Sequence, residues 1–361
     1  MILAFETSCD DTSIALGCQK TGKIIDVLKI SQLDHEKWGG VVPELASRKH
    51  FQNILPLMKE IMERNQIKYS DITYIAATYA PGLLGALLVG VTAAKTTAYT
   101  LGLPLVAVHH MEGHIMSAFM NSDSIDYPLL AVVVSGGHTF LCVAESFGHY
   151  KIIGDTIDDS AGEAFDKVAR MLSLPYPGGP HIDKLAQNGK NPVKFPRPLI
   201  NSGDLNFSFS GLKTAVKVYI ERNPDTPRED IAAGFQNAVV DILIKKTLSA
   251  LEQNNIKNVV ITGGVAANSQ IREEFLKLKS TYNIIVPEKK DCTDNAGMIL
   301  KAAFFRIKNN FNVLSGKEMH RLNPVAYMKL DKETVSRGLR SKILLKTKLD
   351  GLTPSELNKK Q

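Results

Sequence analysis

Ile2-Leu-Ala-Phe-Glu-Thr-Ser-Cys-Asp-Asp-Thr-Ser-Ile-Ala-Leu16 reads as a strand, a tight polar turn and a second strand. Its turn is rich in Thr, Ser and Asp, whose short side chains bond nearby backbone and favour chain reversal. The pattern recurs at Leu129–Val143, where apolar runs surround Ser135-Gly-Gly-His-Thr139. The elements downstream of the two hairpins also match. Asn53–Asn65 has helical spacing and precedes a strand at Ile72–Thr78, the loop Tyr79-Ala-Pro-Gly82 and a small-residue helix near Leu84–Thr100. Ile231–Asn254 has helical spacing too, and precedes a strand at Asn258–Thr262, the loop Gly263-Gly-Val-Ala-Ala-Asn268 and a helix from Ser269.

Strands alternating with helices predict an α/β fold with layered sheets. The repetition predicts two related domains around a cleft. One covers residues 1–125, with an insertion at about 20–50, and the other covers 126–335, with an insertion at about 155–230. The second insertion carries Pro175, Pro177, Gly178, Gly179, Pro180, Pro192, Pro196 and Pro198, and is expected to be loop-rich. Residues 336–361 are expected to form a basic, poorly packed helical tail.

The chain has 361 residues, 44% of them hydrophobic and 22% charged, which suits a globular protein of two domains. The longest apolar stretch, Leu83–Ala98, is broken by Gly85, Gly90 and Lys95, so no membrane span is expected. Met1 leads directly into the first strand without signal or transit features. Cys9, Cys18, Cys142 and Cys292 form no CxxC pair. Together these features predict a reducing, cytoplasmic setting. The formal net charge of +6 permits nucleic-acid binding without demonstrating it. Part of that excess lies in Arg337, Arg340, Lys342, Lys346, Lys348, Lys359 and Lys360 of the tail.

His110-Met-Glu-Gly-His114 follows the apolar run Leu103–Val108. If a helix starts at the strand end, both imidazoles share one helical face and reach one divalent ion. Solvated or core histidines use the same spacing. Glu112 lies about 200° round an ideal helix from His110, which places it poorly to activate a metal-bound water and weighs against a metalloprotease. Cys292-Thr-Asp-Asn-Ala-Gly297 precedes an apolar helix at Met298–Ile307, so Asp294 either caps that helix or supplies a third ligand.

The glycine loops at Ser135–Thr139 and Gly263–Asn268 end strands. Such loops bring backbone N–H groups close to an anion, or simply turn the chain, and neither has the spacing of a P-loop or a dinucleotide fingerprint. Asn268 either caps the following helix or bonds a ligand. Asp10 and Asp11 are turn formers, or acids able to orient a nucleophile, take a proton or hold an ion. In Asp158-Asp-Ser-Ala-Gly-Glu-Ala-Phe-Asp-Lys-Val-Ala-Arg170, Asp158 or Asp159 is expected to cap a helix with Glu163 and Asp166 on one face. Gly178-Gly-Pro-His-Ile-Asp183 is an ordinary loop or a backbone-lined ligand wall. The small residues at positions 82, 85, 86 and 90 predict close packing of another element.

Taken together, these motifs resemble the bacterial and mitochondrial branch of the tRNA threonylcarbamoyladenosine transferases, the TsaD family. The carriers are Glu6-Thr-Ser-Cys-Asp10, Gly39-Gly-Val-Val-Pro-Glu-Leu-Ala-Ser-Arg48, Pro81-Gly-Leu-Leu-Gly-Ala-Leu87, His109-His-Met-Glu-Gly-His114, Val134-Ser-Gly-Gly-His138, Phe207-Ser-Phe-Ser-Gly-Leu-Lys-Thr214, Gly263-Gly-Val-Ala-Ala-Asn268 and Asp291-Cys-Thr-Asp-Asn-Ala296. They occur in order over about residues 1–325.

The resemblance implies the duplicated ATPase fold shared by actin, sugar kinases and heat-shock chaperones, with two domains around a nucleotide cleft. It implies transfer of threonylcarbamoyl from threonylcarbamoyl-AMP to the exocyclic amine of the adenosine 3′ of the anticodon, in tRNAs reading codons that begin with A. It implies one divalent metal per subunit, iron or zinc, on His110, His114 and Asp294. Substrate contacts carry over to Val134, Ser135, Gly136, Gly137, His138, Asp166, Gly179, Asp183 and Asn268, and the catalytic turn acid falls on Asp10. Many relatives have Asp-Glu where this chain has Asp10-Asp11, so a role for Asp11 is not carried over. The resemblance also implies partners: a TsaB-like paralogue and a TsaE-like ATPase in the bacterial branch, or a homodimer in the mitochondrial one. Arg48, Lys49 and Lys213 are the candidate tRNA contacts. The rival readings are a carbamoyltransferase of the same fold acting on a small molecule, a metalloprotease and a non-catalytic scaffold.

Overall fold

The computed structural model describes residues 1–122 and 124–333. The opening hairpin is β1 (Ile2–Glu6) and β2 (Asp11–Gly17), paired antiparallel from Ile2–Gly17 to Glu6–Ser13. Both strands are buried almost throughout, which is why they read as unbroken apolar runs. After them come β3 (Ile24–Ser31), α1 (Pro43–Arg64), β4 (Tyr74–Ala80), α2 (Leu84–Leu101), β5 (Leu105–His109) and α3 (His110–Ser117).

The second half begins with β6 (Leu129–Val134), β7 (Thr139–Ser146) and β8 (His149–Asp155). Four helices follow: α4 (Ala161–Met171), α5 (Gly178–Ala186), α6 (Ser210–Arg222) and α7 (Arg228–Asn254). Then come β9 (Asn258–Thr262), α8 (Ser269–Lys277), β10 (Asn283–Ile285), α9 (Lys289–Cys292) and α10 (Ala296–Lys308). Two short elements, β11 (Val313–Leu314) and α11 (Gly316–Arg321), complete the described chain.

The first sheet has the order β3-β2-β1-β4-β5-β11 and the second β8-β7-β6-β9-β10. Each half therefore repeats one scheme, an antiparallel three-strand meander extended by two parallel strands. This is the duplicated actin-like ATPase fold. One apolar core lies between the sheets and includes residues of β1, β6, α3 and α10; two others lie on the outer faces. The carboxyl ends of β5 and β6 thus open toward the same interior layer.

Two stretches carry more regular structure than expected. Residues 20–50, expected as an insertion, supply β3 and the start of α1; β3 is an edge strand whose side chains are mostly exposed or half-buried, so its apolar signal is weak. Residues 155–230, expected to be loop-rich, are so over 187–209, where Pro192, Pro196 and Pro198 fall, but they also supply the helices α4, α5 and α6. In α4 the apolar Ala161, Ala164, Phe165, Val168 and Ala169 recur at helical spacing and are buried. Neither Asp158 nor Asp159 caps α4. Ser160 does, its Oγ accepting the Glu163 N–H at 3.1 Å, while Asp158 accepts the N–H groups of Phe209 and Ser210 at the start of α6. In addition β11, from the second half of the chain, joins the first sheet beside β5. The basic tail lies outside the described residues.

The helix α2 is long and apolar enough to cross a membrane by length and composition, yet it lies against β4 and α1. Its small residues admit close neighbours. A Cβ on Gly90 would stand 2.2 Å from Thr7 Oγ1, and one on Gly85 would stand 2.4 Å from Ser47 Oγ. Gly90→Ala is therefore expected to destabilise the protein by about 1–3 kcal/mol through overpacking. Urea unfolding checks this; a wild-type midpoint would remove the tight-packing account.

Candidate active site

The strand β5 passes directly into α3. His109 caps the helix, accepting the Met111 N–H on Nδ1 at 3.2 Å. One residue later the helix presents His110 and His114, whose ring centroids are 4.7 Å apart. Both are buried. Facing them is Asp294, whose Oδ1 stands 3.1 Å from His114 Nε2 and 3.5 Å from His110 Nε2. Asp294 is free to do so because its neighbour Asn295 caps α10, accepting the Met298 N–H at 3.1 Å. One donor atom from each of the three residues lies within 4.8 Å of the others.

Behind His110 stands Glu6, at the buried end of β1. Its Oε2 is 3.2 Å from His110 Nδ1, and Ser8 Oγ is 3.1 Å from the same nitrogen. Glu6 also accepts the Ser8 N–H and the Thr78 hydroxyl, both at 2.5 Å. A carboxylate on one ring nitrogen fixes the tautomer and turns the other nitrogen toward the ligand. Burial opposes charge on His110, but the Asp294 and Glu6 carboxylates outweigh it and lift its pKa to about 10. The Asp294 carboxyl is held well below its usual range against burial, first by His110.

The donor set fits a divalent cation on this structure's own terms. Both ring nitrogens of His114 are buried and lack a hydrogen-bond partner among the described residues; the nearby Asp294 oxygen is out of hydrogen-bond geometry. Two carboxylates converge on two imidazoles, a set whose negative charge a cation would balance when both rings are neutral. Two nitrogens and one oxygen suit iron or zinc with open positions. Glu112 faces away, accepting from Tyr150 Oη at 2.9 Å and from Arg306 Nε. That orientation disfavours the metalloprotease reading.

Around this cluster the glycine loops converge. In the β6–β7 turn, Ser135 Oγ accepts the His138 N–H at 3.2 Å. Burial, then the charges of His110 and His114, hold the His138 pKa at about 4, so its imidazole is neutral near pH 7 and close to the cluster. Gly263 has φ +95°, and a Cβ there would stand 2.4 Å from the Val134 carbonyl oxygen, so this loop lies tightly on the β6–β7 turn. By contrast, a Cβ on Gly136, Gly137, Gly179 or Gly264 would meet nothing within 4 Å among the described residues. No side chain or backbone of the described residues fills the space beside these four glycines.

The remaining predicted residues divide by what they already hold. Asp166 accepts the Gly178 N–H at 2.7 Å, and burial raises its pKa. Asp183 accepts the Ser269 N–H and hydroxyl at 3.0 and 2.6 Å. Asn268 caps α8, accepting from Gln270 and Ile271 at 3.0 and 3.1 Å, and donates to Gln236 at 2.6 Å. Asp10 lies in the β1–β2 turn; Asp11 pairs with Lys29 at 2.6 Å. The Tyr176 phenol pKa is raised first by burial, then by the charges of Asp10 and Asp166. Of the basic candidates, Lys213 pairs with Asp159 at 2.6 Å, Lys49 with Asp34 at 2.8 Å, and Arg48 with Glu44 at 2.7 Å.

Sequence reasoning gave Glu6, Ser8 and Thr78 no role. The available signal was an acid ending a fully buried strand, which demands a partner.

A family profile described as "tRNA N6-adenosine threonylcarbamoyltransferase" (TsaD) matches residues 23–301. Relatives bearing that description include one from Carboxydothermus hydrogenoformans, 49% identical over 320 residues, covering 88% of this chain and 93% of that protein. Another, from Caldicellulosiruptor bescii, is 45% identical over 337 residues, covering 91% and 98%. Among solved structures, HypF of T. kodakarensis aligns with a TM-score of 0.57 at 14% identity, covering 88% of this chain and 49% of that one. The (R)-2-hydroxyglutaryl-CoA dehydratase component A of Acidaminococcus fermentans aligns with a TM-score of 0.52 at 16% identity, covering 85% and 98%. These two likenesses concern the fold.

Proposed function

We propose a mechanism on the premise that this chain belongs to the TsaD family of tRNA N6-adenosine threonylcarbamoyltransferases. The enzyme transfers a threonylcarbamoyl group to adenosine N6 in tRNA. The donor assigned here is threonylcarbamoyl-AMP, and the acceptor is the adenosine 3′ of the anticodon in tRNAs that read codons beginning with A. One observation carries the assignment: a His-His-Asp donor set borders an open glycine turn and lies behind the turn that bears Asp10.

The donor is a mixed anhydride, already activated. The protein has to hold it, orient it and keep water away. Backbone N–H groups at Gly136, Gly137 and Gly264, with the open face of Gly179, line the adenylate site, on a wall anchored by Asp166, Asp183 and Asn268. Val134 and Ser135 set the height of that turn, and neutral His138 hydrogen-bonds a donor oxygen. His110, His114 and Asp294 would hold one divalent iron or zinc ion, which when bound supplies Lewis-acid polarisation of donor oxygens.

The N6 amine attacks the carbamoyl carbon. A C–N bond forms, the carbamoyl–phosphate C–O bond breaks, and AMP leaves with the bonding pair. The amine proton passes to the Asp10 carboxylate as the C–N bond forms. Asp10→Asn is expected to slow single-turnover transfer about 100-fold, the lower end for general-base loss, with metal content retained. An unchanged rate would remove Asp10 from proton transfer.

The reading extends to partners and setting. A TsaB-like paralogue and a TsaE-like ATPase, or a second copy of this chain, assist turnover in the cytoplasm, where the tRNA is found. The decisive assay incubates the purified chain, with and without those proteins, with threonylcarbamoyl-AMP and unmodified tRNA. Modified adenosine in the tRNA supports the reading. Carbamoylation of a small acceptor, with the tRNA untouched, favours the small-molecule carbamoyltransferase instead.

A further inference from the structure

Trp38 is the only tryptophan in the chain. It is 71% exposed. An indole left in water forfeits the burial that such a large apolar surface normally gains. The segment carrying it is braced from two sides. His35, buried, accepts the Val42 N–H on Nδ1 at 3.2 Å and bonds Gln32 Oε1 through Nε2 at 2.9 Å. Gln32 in turn donates to the Ala46 carbonyl in α1 at 3.3 Å. From the other half of the molecule, Arg170 of α4 donates to the carbonyl of Gly39, next to Trp38. Gly39 has φ +64°, a left-handed conformation suited to glycine.

These braces fix Trp38 at the rim of the cleft. Arg170 lies one helical turn beyond Asp166, whose carboxylate accepts the Gly178 N–H. The exposed Lys37 is adjacent in the chain. An exposed aromatic ring on a braced segment, with a lysine beside it in the chain, can serve as a platform for an unpaired nucleobase. Chemistry at N6 requires the target adenosine to leave its stack, which frees the face of a neighbouring base. We propose that Trp38 stacks on a base of the tRNA anticodon loop next to the modified adenosine. This rests on the tRNA-modifying function stated above.

Because Trp38 is the only indole, its fluorescence reports on this position alone. Titrating the full-length protein with unmodified tRNA is expected to quench that emission and to shield it from acrylamide. Trp38→Ala is expected to weaken tRNA binding about tenfold to a hundredfold, the loss of one stacked base, while Trp38→Phe restores most of it. Metal content and threonylcarbamoyl-AMP binding serve as controls for folding. Unchanged emission and acrylamide access at saturating tRNA, or wild-type affinity in Trp38→Ala, overturns the proposal and leaves the transferase reading standing. Shielding by a helper protein but not by tRNA overturns it in favour of a protein interface. A wild-type chain that neither binds nor modifies tRNA, alone or with helpers, overturns both.

Discussion

Replacing His114 with alanine is expected to lower threonylcarbamoyl transfer about a thousandfold and to leave the purified protein without stoichiometric metal. The magnitude comes from the chemistry of the cation. Lewis-acid stabilisation of developing charge is worth several kcal/mol, and about 4 kcal/mol is about a thousandfold in rate. The fold should survive the change, because neither ring nitrogen of His114 makes a hydrogen bond that the protein would lose. What remains is the cost of a cavity, about 2 kcal/mol, at the low end for a large-to-small change in a core. Elemental analysis, single-turnover transfer and urea unfolding on one preparation separate these effects. Stoichiometric metal with a wild-type rate in His114→Ala would remove the cluster from the mechanism. His110→Ala is the less clean experiment, since it also strips Glu6 of its main cationic neighbour.

The fold was legible where burial is two-sided. β1 and β6 show unbroken apolar runs because both faces are covered, and the matching elements after each hairpin revealed the duplication. β3 was not legible, because an edge strand with mostly exposed or half-buried side chains carries a diluted pattern. The cap of α4 was misassigned to Asp158 or Asp159 for another reason: three adjacent residues are all good capping types, and only tertiary contacts give the cap to Ser160. The same holds at the site. The spacing of His110 and His114 was visible, but Asp294 remained cap or ligand until Asn295 was seen to take the cap. Glu6 meets His110 across 104 residues of chain, and no local spacing encodes that contact.

The second large effect is expected at Arg306, outside the cleft. Arg306→Met is expected to destabilise the protein by about 3–5 kcal/mol, the range for breaking a buried ion cluster on one side. The guanidinium is fully buried. Its Nε donates to Glu112, and its two terminal nitrogens donate to Glu333 at 2.9 and 2.8 Å. It also lies over the Phe311 ring, 4.7 Å from the centroid. Glu112 accepts from Tyr150 at 2.9 Å, and Glu333 from Tyr79 and Asn312 at 2.8 Å each. Hydroxyl and amide donors do not neutralise two carboxylates, so the variant must protonate them or expose them. Without the guanidinium, burial raises their folded pKa above the unfolded value, and such a group loses stabilisation as pH rises. The deficit against wild type should therefore narrow as the pH falls. Adding Glu112→Gln and Glu333→Gln to Arg306→Met should recover most of the loss, because no charge is then stranded. Glu112 lies between His110 and His114 on α3, so metal affinity measured on the same variants shows whether this cluster also steadies the ligand helix. A deficit that does not change with pH would mean that packing against Phe311, rather than charge, dominates at this position.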